Sequence, residues 1–164
     1  SHPVLKAKVD LVSIVRDVCE LYEPLAEDAG GTLTVEVPDA LEVPASRELM
    51  AQALSNLIDN ALKYGSSENR SLAIRVSLRS EGREATLSVS DNGVGIPGDK
   101  RERVLERFYR LDESRTKPGS GLGLSLVRAI VSIHGGTLVL GDADPGLLVT
   151  LRIPIDARGT VEDA

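Results

Sequence analysis

The stretch LAIRVSLRSEGREATLSVSDNGVGIP, residues 72–97, holds two alternating runs, a turn and a glycine-rich loop in direct succession. Apolar and polar residues alternate from Leu72 to Arg79 and again from Ala85 to Ser90. A period of two buries one face of a strand and leaves the other to solvent. Ser80-Glu81-Gly82-Arg83 turns the chain between the runs, which predicts an antiparallel hairpin. Asp91 keeps the parity of Leu87 and Val89 and so points a carboxylate toward the core side. A carboxylate there is costly unless it is hydrogen-bonded or paired.

Upstream, Asp10 is a natural N-cap for a helix predicted to reach about Ala29. Leu11, Ile14, Val15, Val18, Leu21, Tyr22 and Leu25 recur at helical spacing. Pro24 is expected to kink this helix and Gly30-Gly31 to end it. Residues 32–37 alternate as a strand, and residues 41–43 form a short extended piece. Ser46 caps a second helix running to Tyr64 and closed by Gly65. Met50, Ala53, Leu54, Leu57, Ile58, Ala61 and Leu62 make its apolar face.

Downstream, residues 91–121 are dense in Gly, Pro and charge, and a short helix near residues 99–107 is the only regular element expected there. A loop this long inside a domain usually carries function. A last helix is predicted from about Leu122 to His134, with Gly135-Gly136 as its stop. Residues 137–140 and 147–153 form a final hairpin around Asp142-Ala143-Asp144-Pro145-Gly146. This order predicts an α+β fold, a two-layer α/β sandwich with helices on one face of a mixed, mostly antiparallel sheet. Residues 1–9 read as a linker, 10–155 as one domain and 156–164 as a frayed tail. Ser1-His2 looks like the remnant of a cleaved tag, and the abrupt start suggests a piece of something larger.

Bulk properties narrow the function. The chain has 164 residues, enough for one domain with a real core. Its net charge of -6 makes it a poor general binder of nucleic acid or anionic membrane. Aromatic residues are 2% and Trp is absent, so a base-stacking surface is not expected. The single cysteine, Cys19, forms no internal disulfide and no zinc cluster, which fits a reduced, cytoplasmic setting.

Three groups of residues suggest chemistry. Asn56, Asn60 and Lys63 share one helical stripe. A solvated face would explain them; so would amide oxygens and a cation aimed at a metal and a phosphate, since Mg2+ prefers oxygen. Asp91 with Gly93, Gly95 and Ile96 would suit a flat ligand carrying an amine donor; a turn Asp bonding its own loop is the plainer account. Gly119-Ser120-Gly121-Leu122-Gly123-Leu124 opens the last helix, where free N–H groups bind phosphate. Arg110, Arg115 and Lys117 precede it, in what could also be a plain flexible linker. Gly93 to Gly98 matches the dinucleotide pattern G-x-G-x-x-G, but no well-packed helix and parallel strand follow it.

Taken together and in order, these runs resemble the boxes of two-component sensor histidine kinases. NLIDNALKY (residues 56–64) resembles their N box, DNGVGIP (91–97) the first glycine box, Arg107-Phe108-Tyr109-Arg110 the F box, and GSGLGL (119–124) the second glycine box. The resemblance covers nearly the whole chain and implies a catalytic domain with the Bergerat-type ATP-binding fold, taking ATP (or ADP) with Mg2+. It implies that Asn60 holds Mg2+, with Asn56 beside it, Lys63 on phosphate and Tyr64 against the base. Asp91 would accept from the adenine amine, with Gly93, Gly95 and Ile96 as the pocket wall. Residues 110–118 would be a mobile lid, with Arg110 and Arg115 near the γ-phosphate and Tyr109 at its edge. Gly121 and Gly123 would cradle the phosphates, with Ser120, Leu122 and Leu124 of the same box also in the nucleotide-binding set. Asn56, Lys63 and Arg110 are the residues it implies for phosphoryl transfer.

The resemblance further implies partners outside these residues: a dimerising helical hairpin bearing the acceptor histidine, and a response regulator. The chain by itself would then be a monomer, and a full-length protein could carry an anchor in the inner membrane. His134 follows the last helix at a C-terminus, where a partly positive ring is favourable, and reads as structural rather than as the acceptor. The sequence departs from the family in lacking an Asp near Pro44-Ala45 and in having Leu148-Val149 where Thr-Phe is frequent.

Three other readings compete. ATP-hydrolysing clamps of the same superfamily carry a Glu one turn before the metal-binding Asn; here that residue is Asn56, which cannot act as a base. A serine kinase that inhibits a sigma factor would be of similar size. A non-catalytic nucleotide-binding regulator would be expected to carry a lesion among the binding residues, and none is evident.

Overall fold

The structure is a computed structural model, and it describes residues 7–65, 70–101, 105 and 123–156. Among the described residues two layers form: a five-stranded sheet and three long helices. The elements in chain order are β1 (Lys8–Asp10), α1 (Leu11–Asp28), β2 (Thr32–Glu36), β3 (Glu42–Pro44) and α2 (Arg47–Tyr64). Then come β4 (Ala73–Glu81), β5 (Glu84–Ser90), α3 (Gly123–Ile133), β6 (Thr137–Asp142) and β7 (Leu147–Pro154). The main sheet has the order β2-β4-β5-β7-β6, parallel only between β2 and β4.

Alternation along the strands decides which face is covered. Leu33, Ile74, Val76, Leu78, Leu87, Val89, Val149, Leu151 and Ile153 are buried together with apolar residues of the helices. The α1 stripe contributes Leu11, Ile14, Val15 and Val18, and α2 contributes Met50, Ala53, Leu54, Leu57, Ile58 and Ala61. On α3, Val127, Ile130 and Val131 close the layer. The predicted apolar face of α2 is therefore the buried one, with Leu62 at its half-exposed margin. Both predicted caps are present: Asp10 accepts from Val12 N at 3.1 Å, and Ser46 accepts from Leu49 N at 3.2 Å. Burial, aided by the charge of Glu23, pushes the Cys19 thiol up to about 12, so it remains an inert core thiol.

Several boundaries differ from the reading of the sequence. Lys8 and Val9, which fall in the predicted linker, join the N-cap Asp10 in β1 and pair antiparallel with β3. Asp10 explains this: its Oδ1 accepts from Leu41 N at 3.0 Å as well as from its own helix, drawing β3 alongside. The hairpin turn is tighter than predicted, because Glu81 pairs with Glu84 and leaves Gly82-Arg83 as the only loop residues. The predicted end of α1 holds: the helix runs through Pro24 to Asp28, with Ala29 as its C-cap. Near residue 99 the described residues show a 3₁₀ turn, Gly98–Lys100, that passes into helical backbone at Arg101; most of residues 102–107, where the predicted helix would continue, lie outside the described residues.

The proposed charge on His134 needs correction. His134 is buried, with its Nε2 accepting the backbone N–H of Ser46 at 3.1 Å. An atom that accepts a hydrogen bond carries no proton, so the ring is neutral and protonated at Nδ1, which meets Ile130 O at 2.7 Å. The ring joins the end of α3 to the cap of α2. The helix-terminus argument for positive charge fails because a donor already occupies the second nitrogen.

Candidate functional site

Two helices and one loop converge. Asn56 and Asn60 lie half-buried along α2, beside its apolar stripe, and Lys63 is exposed one turn on. Among the described residues no hydrogen bond engages the side-chain amide of either Asn. Asn60 borders the start of α3: a Cβ placed on Gly123 would lie 3.5 Å from both its amide atoms. Asn60 of the amide stripe and Gly123, 63 positions apart in the chain, are thus neighbours.

The end of α2 touches the Asp91 loop. A Cβ on Gly65 would lie 2.9 Å from Asp91 Cβ, and one on Gly93 would lie 2.4 Å from Gly65 O. From the opposite side, a Cβ on Gly146 would lie 1.9 Å from Asp91 O, and Gly146 has φ +104. Real Cβ atoms do not approach backbone that closely, so only glycine fits at these positions. Asp91 sits in a collar of glycine drawn from three separate segments.

Its carboxylate is asymmetrically engaged. Oδ1 accepts from Gly93 N at 2.9 Å and from Leu147 N at 3.3 Å. The first bond is the local turn that the plainer account of Asp91 requires. The second spans 56 residues and reaches another strand, so the carboxylate is not a turn device alone. Among the described residues no donor reaches Oδ2. Burial raises the Asp91 pKa above the ordinary carboxylate value, and the two N–H bonds oppose that rise only in part.

Asn92 does different work from Asp91. Its Oδ1 accepts from Ala73 N at 2.8 Å and its Nδ2 donates to Ser71 O at 2.9 Å. Arg70 Nε donates to Asn92 O at 3.0 Å. The loop is thereby clipped to the start of β4, which turns Asp91 the other way. Gly65, Asn92, Gly146 and Leu147 had been read as helix stop, loop residue, turn and strand. A glycine in Asp-Pro-Gly announces a turn; nothing local announces which distant carbonyl it will lie against.

Of the other sequence-derived candidates, Tyr64, Gly95, Ile96 and Leu124 are half-buried; Ile96 and Leu124 pack against the core. Tyr109, Arg110, Arg115, Ser120, Gly121 and Leu122 lie outside the described residues. A hollow of about 440 Å³ lies on the opposite, outer face of the sheet, where Thr32, Thr34, Arg75 and Ser90 alternate with core residues. Asp91 and Asn92 also line it, so it borders the site at the Asp91 loop, but it contains none of the amide stripe.

Among the described residues no cluster of three His, Cys, Asp or Glu could hold a metal. A divalent ion here would have to be shared between the Asn60 amide oxygen and a ligand's own oxygens, the mode in which Mg2+ ordinarily binds phosphates. Among the same residues no helix is long and apolar enough to cross a membrane.

The chain is similar to known proteins in sequence and fold. A family model described as histidine kinase-, DNA gyrase B-, and HSP90-like ATPase matches residues 45–157. The sensor protein IrlS of Burkholderia pseudomallei is 40% identical over 160 residues, which cover 96% of this chain and 33% of that protein. The mycobacterial sensor histidine kinase MprB superposes with a TM-score of 0.80 at 30% identity, covering 90% of this chain and 97% of that one. The catalytic domain of the histidine kinase ThkA superposes with a TM-score of 0.80 at 25% identity, covering 91% and 97%. The chain spans about a third of the length of the curated relatives it matches.

Proposed function

The chain belongs to the family of histidine kinase-, DNA gyrase B- and HSP90-like ATPases, and on that premise we propose that it is the ATP-binding catalytic domain of a sensor histidine kinase. Membership in an ATPase family implies ATP binding; the role of each residue, the metal and the acceptor are our reading. The observation that carries it is Asp91: a half-buried carboxylate whose Oδ1 takes two backbone N–H bonds while no donor among the described residues meets Oδ2. Such an oxygen suits the exocyclic amine of adenine. Gly93 and Gly95 keep side chains away from the base, and Ile96 and Tyr64 give it apolar contact.

At the other end of the site, Lys63, Arg110 and Arg115 would place positive charge on the phosphates. The amides of the Ser120-Gly121-Leu122-Gly123 run, which precedes and opens α3 in the sequence, would donate to phosphate oxygens. Asn60 would hold Mg2+, with Asn56 beside it; when bound, the ion neutralises phosphate charge and helps align the γ-phosphoryl group. Phosphoryl transfer needs positioning and charge neutralisation rather than covalent help from the protein, and these residues supply both. Asn56 stands where a water-activating base would be needed, so transfer to a histidine is favoured over hydrolysis. We place that histidine on a separate dimerising helical hairpin, with a response regulator as the next acceptor, and we take the isolated chain to be a monomer.

The test is label from γ-labelled ATP. The chain alone should incorporate none, and adding the hairpin in trans should label the hairpin's histidine. Label on the chain itself would refute the division of labour, and label on a serine substrate instead would favour the sigma-factor-kinase reading. A smaller effect is expected for Asn60→Ala. Calorimetry with and without Mg2+ should show the metal's contribution to ATP affinity falling by about three- to tenfold, or roughly 0.7–1.4 kcal/mol. An unchanged metal dependence would remove Asn60 from the metal site.

A further inference from the structure

The loop bearing Asp91 is held to the β6–β7 hairpin at both of its ends. At the first end, Asp91 N donates to Leu147 O at 3.1 Å, and Leu147 N returns a bond to Asp91 Oδ1 at 3.3 Å. At the second end stands Arg101. Its Nε donates to Ile96 O at 3.2 Å, and its Nη2 pairs with Asp142 Oδ1. Asp142 is the last residue of β6 and lies opposite Leu147 in the register. Between the two anchors, Gly95 (φ +77) rests on the hairpin so closely that a Cβ there would lie 3.0 Å from Gly146 O.

We propose that Arg101, through Asp142 and Ile96, is a positioning residue for nucleotide: it straps the far end of the Asp91 loop to the hairpin and fixes the wall on which the base rests. The inference deepens the functional reading given above and rests on it. The physical need is clear from composition. Gly93 and Gly95 lose more conformational freedom on ordering than other residues. A glycine loop tied at one end would sample many shapes, and each would have to be given up on binding. A second tie removes that cost beforehand.

An ordinary surface ion pair contributes little. This one differs in two respects. The Arg101 side chain is only 24% exposed, against 64% for Asp142. It also serves a backbone carbonyl and a carboxylate at once, which a planar guanidinium can do and a lysine ammonium does poorly. Arg101 touches no reacting group in this scheme; it acts through Ile96 and Asp142.

The experiment uses the 164-residue chain and four variants: Arg101→Met, Arg101→Lys, Asp142→Ala, and Arg101→Met with Asp142→Ala. ATP affinity is measured by calorimetry, melting temperature without nucleotide, and amide exchange at Gly93 and Leu147. Each single variant, lysine included, should weaken ATP binding about fivefold, with the melting temperature within about 2 °C of wild type. The double variant should be no weaker than the worse single one, because one strap is cut only once. Exchange at the two amides should quicken in every variant. Unchanged ATP affinity would overturn the proposal, as would additive losses, or losses seen only alongside a large drop in melting temperature. If the wild type itself does not bind ATP, the functional reading falls, and the exchange rates still decide whether the strap orders the loop.

Discussion

Asp91→Asn is expected to lower ATP affinity by about 10- to 100-fold while leaving the nucleotide-free fold as stable as before, or more so. The two halves have separate causes. Asn retains an Oδ1 that can accept from Gly93 N and Leu147 N, so both bonds that hold the loop survive. The amide at the other position is a donor where an acceptor is required, so the adenine amine would meet a second donor. Losing a hydrogen bond to a charged acceptor, and leaving a donor facing a donor, is worth about 1.5–3 kcal/mol. Stability moves the other way because burial raises the folded-state pKa of Asp91. A carboxyl raised in the native state favours folding below its unfolded pKa, and this contribution is lost as pH rises through the folded value. At neutral pH the ionised group therefore weighs against the fold, and the neutral amide relieves it. Melting in the absence of nucleotide from pH 4 to 8 should show the wild type losing stability relative to Asp91→Asn as pH rises. A variant that melts much lower than wild type at neutral pH, with ATP affinity intact, would show that the carboxylate serves the fold and not the base.

His134→Ala is expected to destabilise the protein by about 2–3 kcal/mol, through one orphaned donor and a cavity. For a chain of this size that is a fall in melting temperature of roughly 5–10 °C. The donor left without its acceptor is Ser46 N–H, now bonded to Nε2 at 3.1 Å. Ile130 O keeps the backbone N–H of His134 at 3.2 Å, so the loss falls mainly on the α2 side. Because Ser46 caps the helix carrying Asn56 and Asn60, ATP affinity should fall modestly as well. His134→Gln, whose amide oxygen can accept from Ser46, should recover part of the loss. Thermal denaturation of the three proteins checks this. Equal melting temperatures would show that the ring joins nothing.

Much of the architecture was legible because it is encoded at short range. Period-two alternation located β4 and β5, helical periodicity located α1 and α2, and Asp10 and Ser46 marked their starts. Each depends on residues within a few positions of one another, so a linear reading suffices. The amide stripe was legible for the same reason: Asn56, Asn60 and Lys63 share a face once the segment is helical. β1 was missed because three residues with one apolar side chain have no pattern, and their strand exists only through pairing with β3.

The sequence alone therefore determined the long helices and strands other than β1, most of their buried faces (Leu21 and Leu25 of the predicted α1 stripe are exposed) and the chemical types available to bind a nucleotide. Only the tertiary structure decided that β7 inserts beside β5, and with it nearly everything about the environment of Asp91. That pairing brings Gly146 against its carbonyl, Leu147 N to its carboxylate and Asp142 within reach of Arg101. The physical reason is range. Secondary structure follows from local sterics and periodic burial, whereas an acid's desolvation and its partners depend on which distant backbone is packed against it.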